Sequence, residues 1–523
     1  MAEMTGGQAL VRSLYQEGVR VVFGLPGAGQ YEAIDAIYEE PGIRYITTRH
    51  EQATSYMADG YARVSGKIAT ALVVPGAGLF NASAGISTAH AVSSRMLVVT
   101  GVHQHAPPGA DGDPMAWIRP ITKWASRIQR PADVPATVHE AFYHLKTGPP
   151  RPVLIEISQQ VLGAEATVEL IESSDYEPLG GSPEQIEQVA RIMANARRPL
   201  IWAGGAVHRS GASEALQALA EHIQAPVVTS RSGKGAISDR HHLSVGLAEV
   251  RYEPLTRWLA NRDVILAVGT KTDFREWLDA QRVIRIDIDE GEIARADHHS
   301  LGVLGDARHC LEALHSIISA TMPARPRYAD ELAALNAERF DPAIQLQPQW
   351  GLMSAIRMAM PDDGILIQGM NQMGYYSRNY YPVYAPGTYL TAAGTLGLAF
   401  PVALGAKVAR PDKAVVAISG DGGFLYNSQE LATAVQYGLN AVVIVFNDNA
   451  YGNVLRAQIE QFKGHILGTK LHNPNFVKLA EAYGAHGVRA EGAEQLEAAL
   501  REALGIDAPT VIEVPVGMMA RQY

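Results

Sequence analysis

The sequence predicts an α/β protein of three doubly wound parallel-sheet domains, and three observations carry that expectation. Short Val- and Ile-rich runs alternate with longer amphipathic stretches along the whole chain, the pattern of parallel strands joined by crossover helices. Two breaks in composition divide it. Residues from about 162 to 184 lack strand character and include SSDYEPLGGSPEQ, and TMPARPRYADE interrupts the pattern near 321 to 331. Finally, AVVAISGDGGFLYNSQELATAVQYGLNAVVIVFNDNAYG reads as strand, glycine-rich turn, helix, strand and turn, a single βαβ unit.

Each domain has its own strand set. The first is expected to contain Val19 to Phe23, Ala69 to Val74, Met96 to Thr100 and Val153 to Ile157. PLIWAGGAV, APVVTS, DVILAVGT and RVIRIDID supply the second, and GILIQG, AVVAISGDGG, NAVVIVFNDN and APTVIEVPV the third. The resulting boundaries are 1–165, 185–325 and 345–523. A chain of 523 residues, 47% hydrophobic and 19% charged, is long enough for such cores and is neither disordered nor fibrous. Lys and Arg total 44 against 54 Asp and Glu, a net charge of -10 with no basic block, which argues against nucleic acid as a partner. Cys310 is the single cysteine, so no disulfide closes within the chain, and no Cys/His cluster has zinc-ligand spacing. The N-terminus MAEMTGGQAL has no signal-peptide pattern and no apolar run approaches a membrane span. A soluble, unprocessed protein of the reducing cytoplasm is expected.

The βαβ unit carries the chemistry. Asp421 closes one strand and Asp448, 27 residues later, closes the next, so a right-handed crossover brings both carboxylates to one sheet edge. Gly422 and Gly423 allow close approach of a ligand, and a helix beginning near Phe424 offers free N–H groups to a phosphate. Carboxylates beside a phosphate seat suit Mg²⁺. The plain alternative is that Asp421 caps the helix while Asn447 and Asn449 fill a turn.

GDGG followed by FNDNAYG resembles the thiamine diphosphate motif of the family that includes acetolactate synthase, benzoylformate decarboxylase and pyruvate oxidase. RHEQATSYMADGYARVSG is similar to that family's pyrimidine-domain helix. PLIWAGGAVHRSGASEAL and APVVTSRSGKGAI are similar to its middle domain, and GMNQMGYY and AAGTLGLAFPVALGAKVARPD to its diphosphate domain. The resemblance therefore spans all three domains, as pyrimidine-binding, middle and diphosphate-binding.

Residue by residue, it implies that Asp421, Asp448 and the main-chain carbonyl of Ala450 hold Mg²⁺, Asp448 standing where the family has a second asparagine. It places Gly369, Met370, Asn371, Gly394, Gly420, Gly422, Gly423, Tyr451 and Gly452 against thiamine diphosphate, with Leu396 as the aliphatic wedge under it and Pro26 facing the pocket. Glu51, in the first turn of a helix carrying Ala53, Met57 and Tyr61 on one face, corresponds to the glutamate that hydrogen-bonds N1′ of the aminopyrimidine and so assists C2 deprotonation. Without the resemblance, a glutamate there complements the helix dipole. Ala28, Asn453, Val454 and Ala457 map to the substrate side, Ala28 replacing a serine and Ala457 a tryptophan that selects the acceptor. His103, Gln104 and His105 follow the strand MLVVTG where the family's loop enters the site, and the two histidines either relay protons or are solvated. Arg275 coincides with the arginine that grips a second 2-oxo acid in acetolactate synthases, or forms an ion pair. The loop VGLAEVRYEP lacks the GMHG-type segment that cradles flavin, which counts against FAD.

The implied activity is decarboxylation of a 2-oxo acid with ligation of the product fragment to a 2-oxo acid or aldehyde acceptor, in a homodimer or homotetramer with sites at the dimer interface. A non-ligating decarboxylase is the nearest alternative. A non-catalytic cofactor-binding subunit is weakened by retention of Glu51 together with Asp421. A dinucleotide-dependent oxidoreductase built on Gly204, Gly205 and Asp287 fails because GGAVHRSG departs from GxGxxG.

Overall fold

The computed structural model describes residues 1–102, 115–248, 252–271, 278, 281–295, 300–327 and 330–521. It contains three six-stranded sheets of the expected parallel α/β kind. The first runs in the order Arg44–Thr47, Val21–Gly24, Ala69–Val73, Met96–Thr100, Val153–Ile157, Trp124–Ile128, all neighbours parallel. Its central strands ATALV, MLVVT and VLIEI are buried at every residue, as a sheet covered on both faces by helices requires. The second sheet runs Ser244–Leu247, Val227–Thr229, Pro199–Ala203, Val264–Val268, Arg282–Asp287, Ser300–Leu304. In the third, Val415–Gly420 lies parallel to Val442–Asn447, Ile365–Gln368 to Tyr389–Leu390, and His486–Arg489 to Thr510–Pro515.

Sequence reasoning missed several edge strands, and one omission is a correction. Glu165–Val168 is a strand inside the stretch expected to lack one, paired antiparallel with Ala2–Thr5 in a separate two-stranded ribbon. Four residues with one buried side chain give too little hydrophobic alternation to be read locally; the pairing comes from a segment more than 150 residues away. The edge strands Tyr389–Leu390 and His486–Arg489 are short or half-exposed and escaped for the same reason. Val245 to Leu247, expected in a loop, belong to the strand Ser244–Leu247.

By packing, the chain forms two compact units. One comprises Met1–Tyr176, Ala392–Arg489 and Ala503–Glu513, the other Glu177–Thr391, Ala490–Glu502 and Val514–Tyr523. The core of the second unit gathers Leu216, Leu219, Ile223, Leu266, Leu311 and Leu314 on one face of its sheet, and Leu200, Trp202, Leu255 and Trp258 on the other.

Within the first unit the helix Glu51–Ser65 packs along the helix Ala399–Ala409. The contact is made backbone to backbone. A Cβ at Gly60 would lie 2.2 Å from the carbonyl oxygen of Val402, and one at Gly405 would lie 1.9 Å from that of Met57. Neither helix has room to retreat, because Glu51 through Ala62 are buried except for Gln52, and the partner helix is buried from Ala399 to Lys407. The Gly60→Ala variant is therefore expected to lose about 1–3 kcal/mol of stability through overpacking, read as a lower melting temperature than wild type, while Gly66→Ala, whose added Cβ meets nothing, tests the separate cost of a left-handed backbone.

Candidate active site

The GDGG turn is built by two adjacent strands. Gly420 pairs with Phe446 at their carboxyl ends, so Asp421 and Asp448 emerge side by side. The helix expected to begin near Phe424 instead begins at Asp421, with Gly420 as its N-cap, and lasts a single turn to Phe424; the longer helix is Glu430–Tyr437. Asp421 is therefore the first helical residue and does not cap the helix. Its carboxylate is buried and accepts a 2.6 Å hydrogen bond from Nδ2 of Asn473. Asp448 is half-buried and its Oδ1 accepts the Ala450 N–H at 3.2 Å, in a turn where Asn449 has φ 54°. A Cβ at Gly452 would fall 2.2 Å from Asp448 Oδ2, so glycine there keeps space for the carboxylate.

Electrostatically the two carboxylates are in tension, with Arg456 acting to lower the Asp448 carboxyl against the larger effects that raise it. Burial pushes the Asp448 carboxyl up to about 6, and the neighbouring Asp421 adds to the rise. Burial also raises Asp421, against the hydrogen bonds that favour its ionised form. Two desolvated carboxylates that resist ionisation together are relieved by a cation between them. Among the described residues no group of three or more His, Cys, Asp or Glu side chains is poised to hold a metal. The donor set here is two carboxylates with the Ala450 carbonyl nearby, and a divalent ion would complete its shell with ligand oxygens such as those of a diphosphate. The residues present fit that group.

Leu396 and Tyr451 flank the glycines of this edge. Leu396 is half-buried rather than ordinary core, held in a segment where Ala393, Gly394 and Gly397 have φ of 50°, 91° and 88°, and its Cδ1 lies 3.1 Å from where a Cβ of Gly423 would be. Tyr451 N-caps the helix Gly452–Gln461, and its ring lies 2.6 Å from a would-be Cβ of Gly422. Gly369 and Met370 follow the strand Ile365–Gln368, and Asn371 N-caps the next helix by accepting the Gly374 N–H at 2.9 Å. On the Gly452–Gln461 helix Asn453 and Val454 are exposed and Ala457 is half-buried.

Glu51 is the first residue of its helix, buried at 6% exposure, at the edge of the first sheet. His50 caps the helix, its Nδ1 accepting the Gln52 N–H at 3.1 Å. Asn81 Nδ2 donates to Glu51 Oε2 at 3.1 Å, and a Cβ at Gly78 would stand 2.9 Å from Oε1, leaving that oxygen a free approach. Pro26 and Ala28 are exposed in the neighbouring loop, packed beside Val74 and Pro75 through Gly27 and Gly29. Glu51 and the pair Asp421 and Asp448 lie in the same compact unit, at the ends of strands of two different sheets. His103, Gln104, His105 and Arg275 lie outside the described residues.

Sequence reasoning missed Asn473. Its Nδ2 touches Asp421 Oδ2, Asn447 Oδ1 at 2.9 Å and Asn449 Oδ1 at 3.4 Å, bracing both strand ends. It lies 52 residues beyond Asp421 in LHNPN, where an asparagine between loop residues carries no local signal.

Comparison with known proteins agrees with this geometry. Residues 4–112 match the N-terminal TPP binding domain of thiamine pyrophosphate enzymes, 186–314 the central domain and 369–514 the C-terminal TPP binding domain. A probable acetolactate synthase large subunit of Methanocaldococcus jannaschii is 32% identical, over 98% of this chain and 92% of its own length. The acetolactate synthase large subunit of Corynebacterium glutamicum is also 32% identical, over 99% and 88%. A probable 2-ketoarginine decarboxylase of Pseudomonas aeruginosa is 35% identical, over 98% and 94%. The chain belongs to the thiamine pyrophosphate enzyme family. It is a thiamine diphosphate-dependent enzyme with the family's three domains in order. No helix among the described residues is long and apolar enough to cross a membrane.

The raised Asp448 carboxyl sets a pH dependence. Its folded-state value near 6 exceeds that of an unfolded carboxyl, so its contribution to stability is present below the ordinary carboxylate range and lost as pH rises through about 6. Metal-free protein should therefore lose thermal stability between pH 5 and 7 relative to Asp448→Asn. Mg²⁺ affinity in the presence of thiamine diphosphate should rise more steeply over the same interval in wild type than in Asp448→Asn, and Asp448→Asn should weaken it on the order of tenfold at pH 7.5. Calorimetric titration across that range checks both.

Proposed function

We propose that the protein decarboxylates a 2-oxo acid and ligates the resulting fragment to a 2-oxo acid or aldehyde acceptor, using thiamine diphosphate and Mg²⁺. The observation that supports this best is the pair Asp421 and Asp448 at adjacent strand ends, the Asp448 carboxyl raised by burial and by Asp421, in a chain related over 98% or more of its length to acetolactate synthase large subunits. When bound, thiamine diphosphate supplies the carbon acid that adds to the oxo group and takes up the electrons released with CO₂.

The chain's own residues do the rest. Asp421, Asp448 and the Ala450 carbonyl hold the metal. Gly369, Met370, Asn371, Gly394, Gly420, Gly422, Gly423, Tyr451 and Gly452 line the cofactor, with Pro26 opposite and Leu396 as its prop. Glu51 keeps a proton at N1′ of the aminopyrimidine, its carboxylate oriented by Asn81. Ala28, Asn453, Val454 and Ala457 bound the substrate space, Arg275 pairs with an acceptor carboxylate, and His103 relays protons there with Gln104 next to it in sequence. Flavin is left out of the proposal. The domains span 1–165, 185–325 and 345–523, and the protein works in the cytoplasm as a homodimer or homotetramer.

A second reading, simple decarboxylation to an aldehyde, is favoured by the 35% identity to a probable 2-ketoarginine decarboxylase and by the small Ala457. Turnover of holoenzyme on a panel of 2-oxo acids, with CO₂ and carbon product both identified, separates the two. The expected result is a ligated hydroxy-oxo product with acceptors of several sizes; free aldehyde alone establishes the second reading, and no CO₂ from any acid refutes both.

The family resemblance implies sites at a dimer interface, so the complete site is proposed to combine Glu51 of one subunit with the metal edge of another. Mixing Glu51→Gln chains with Asp421→Ala chains should restore activity, one intact site in each mixed dimer. Verified subunit exchange without recovery counts against shared sites.

A further inference from the structure

The segment leading into Glu51 is gripped by one face of another helix. In Glu430–Tyr437, residues 430, 433 and 437 share a face, and all three reach Thr47 to Arg49. The Tyr437 hydroxyl accepts the Thr47 N–H at 2.8 Å. The Thr433 hydroxyl lies 3.3 Å from the Thr47 carbonyl oxygen and 2.6 Å from Glu430 Oε2. Both oxygens of Glu430 accept the Arg49 N–H, at 3.0 and 3.2 Å, and the His50 N–H also points to this carboxylate. Beside them, Gln436 Oε1 accepts from the Arg49 guanidinium at 2.7 Å. One turn upstream, buried Asn427 donates to the Gly397 carbonyl at 2.9 Å and to Gln52 Oε1 at 3.4 Å.

Glu430 is fully buried. A buried carboxylate is costly, and burial drives this one up to about 7 despite its hydrogen bonds. A glutamate serving only to join two elements could be replaced by an apolar contact at no loss. What a carboxylate does here that an apolar side chain cannot is receive two successive backbone N–H groups just before a helix and fix their direction. Those N–H groups precede Glu51 by two residues and one.

We propose that Glu430 is a positioning residue for Glu51: by accepting the Arg49 and His50 N–H groups it sets where the Glu51 helix begins and how its first carboxylate is aimed. The inference rests on the proposed role of Glu51. It also places the aim of Glu51 under the helix that follows the chain's own GDGG turn.

Two measurements test it. In cofactor-free protein, amide hydrogen exchange at Arg49 and His50 should accelerate in Glu430→Gln, with protection elsewhere in the first unit unchanged. In holoenzyme, C2 hydrogen–deuterium exchange of bound thiamine diphosphate should slow on the order of tenfold in Glu430→Gln, since small misplacements of a catalytic group are costly, with cofactor affinity and KM unchanged. The slowing should vanish in a Glu51→Gln background, because a residue acting through Glu51 has nothing left to position. Wild-type amide protection, a wild-type C2 rate, or the same tenfold loss persisting without Glu51 each overturns the proposal. If Glu51→Gln alone exchanges C2 at the wild-type rate, the reading of Glu51 fails and the proposal with it; a slow Glu51→Gln beside a normal Glu430→Gln overturns the proposal alone. Should Glu430→Gln fail to fold, Thr433→Val and Tyr437→Phe loosen the same grip and are held to the same outcomes.

Discussion

The contact on which the first unit depends is the glycine crossing of Glu51–Ser65 and Ala399–Ala409. Two helices from distant parts of the sequence meet with carbonyl oxygens where side chains would stand, at Gly60 against Val402 and at Gly405 against Met57. A helix held this way cannot slide or roll without driving backbone into backbone. Its first residue is Glu51, so the packing that fixes the axis also sets the height of the carboxylate above the sheet. The grip of Glu430, Thr433 and Tyr437 on Thr47 to Arg49 acts at the end of the same helix. Axis and origin are thus held by separate contacts.

The metal edge follows a different logic. Strand pairing brings Asp421 and Asp448 together whatever the charge cost, because the register Gly420 to Phe446 is set by hydrophobic strands on either side. The repulsion is relieved only in part: Asn473 offers an amide to Asp421, and Arg456 lowers the Asp448 carboxyl by less than burial and Asp421 raise it. Such a site is less stable empty than filled, and the deficit favours a divalent ion that arrives with phosphate oxygens. Asp448, in place of the family's usual asparagine, deepens that deficit.

Much of this was legible in the sequence because it is local. Continuous apolar runs such as MLVVT and VLIEI are parallel strands without further information, and GDGG with FNDNAYG encodes strand end, turn and strand end over a short span. Elements that escaped were those whose identity is conferred by a distant partner. Glu165–Val168 is a strand because Ala2–Thr5 lies beside it, and Asn473 braces the metal edge because a loop returns there. The helix start near Phe424 was misplaced by three residues because Gly420 takes the cap and the turn after Phe424 breaks the helix.

By itself, then, the sequence determined the α/β class, the alternation of strands and helices, and the pair of carboxylates at one sheet edge, since each is a property of residues close along the chain. Only the tertiary structure decided that Gly60 and Gly405 are contact points and that a buried Glu430 faces the N–H groups before Glu51. Those facts depend on distances between segments hundreds of residues apart, where a glycine or glutamate looks like any other until its neighbour arrives.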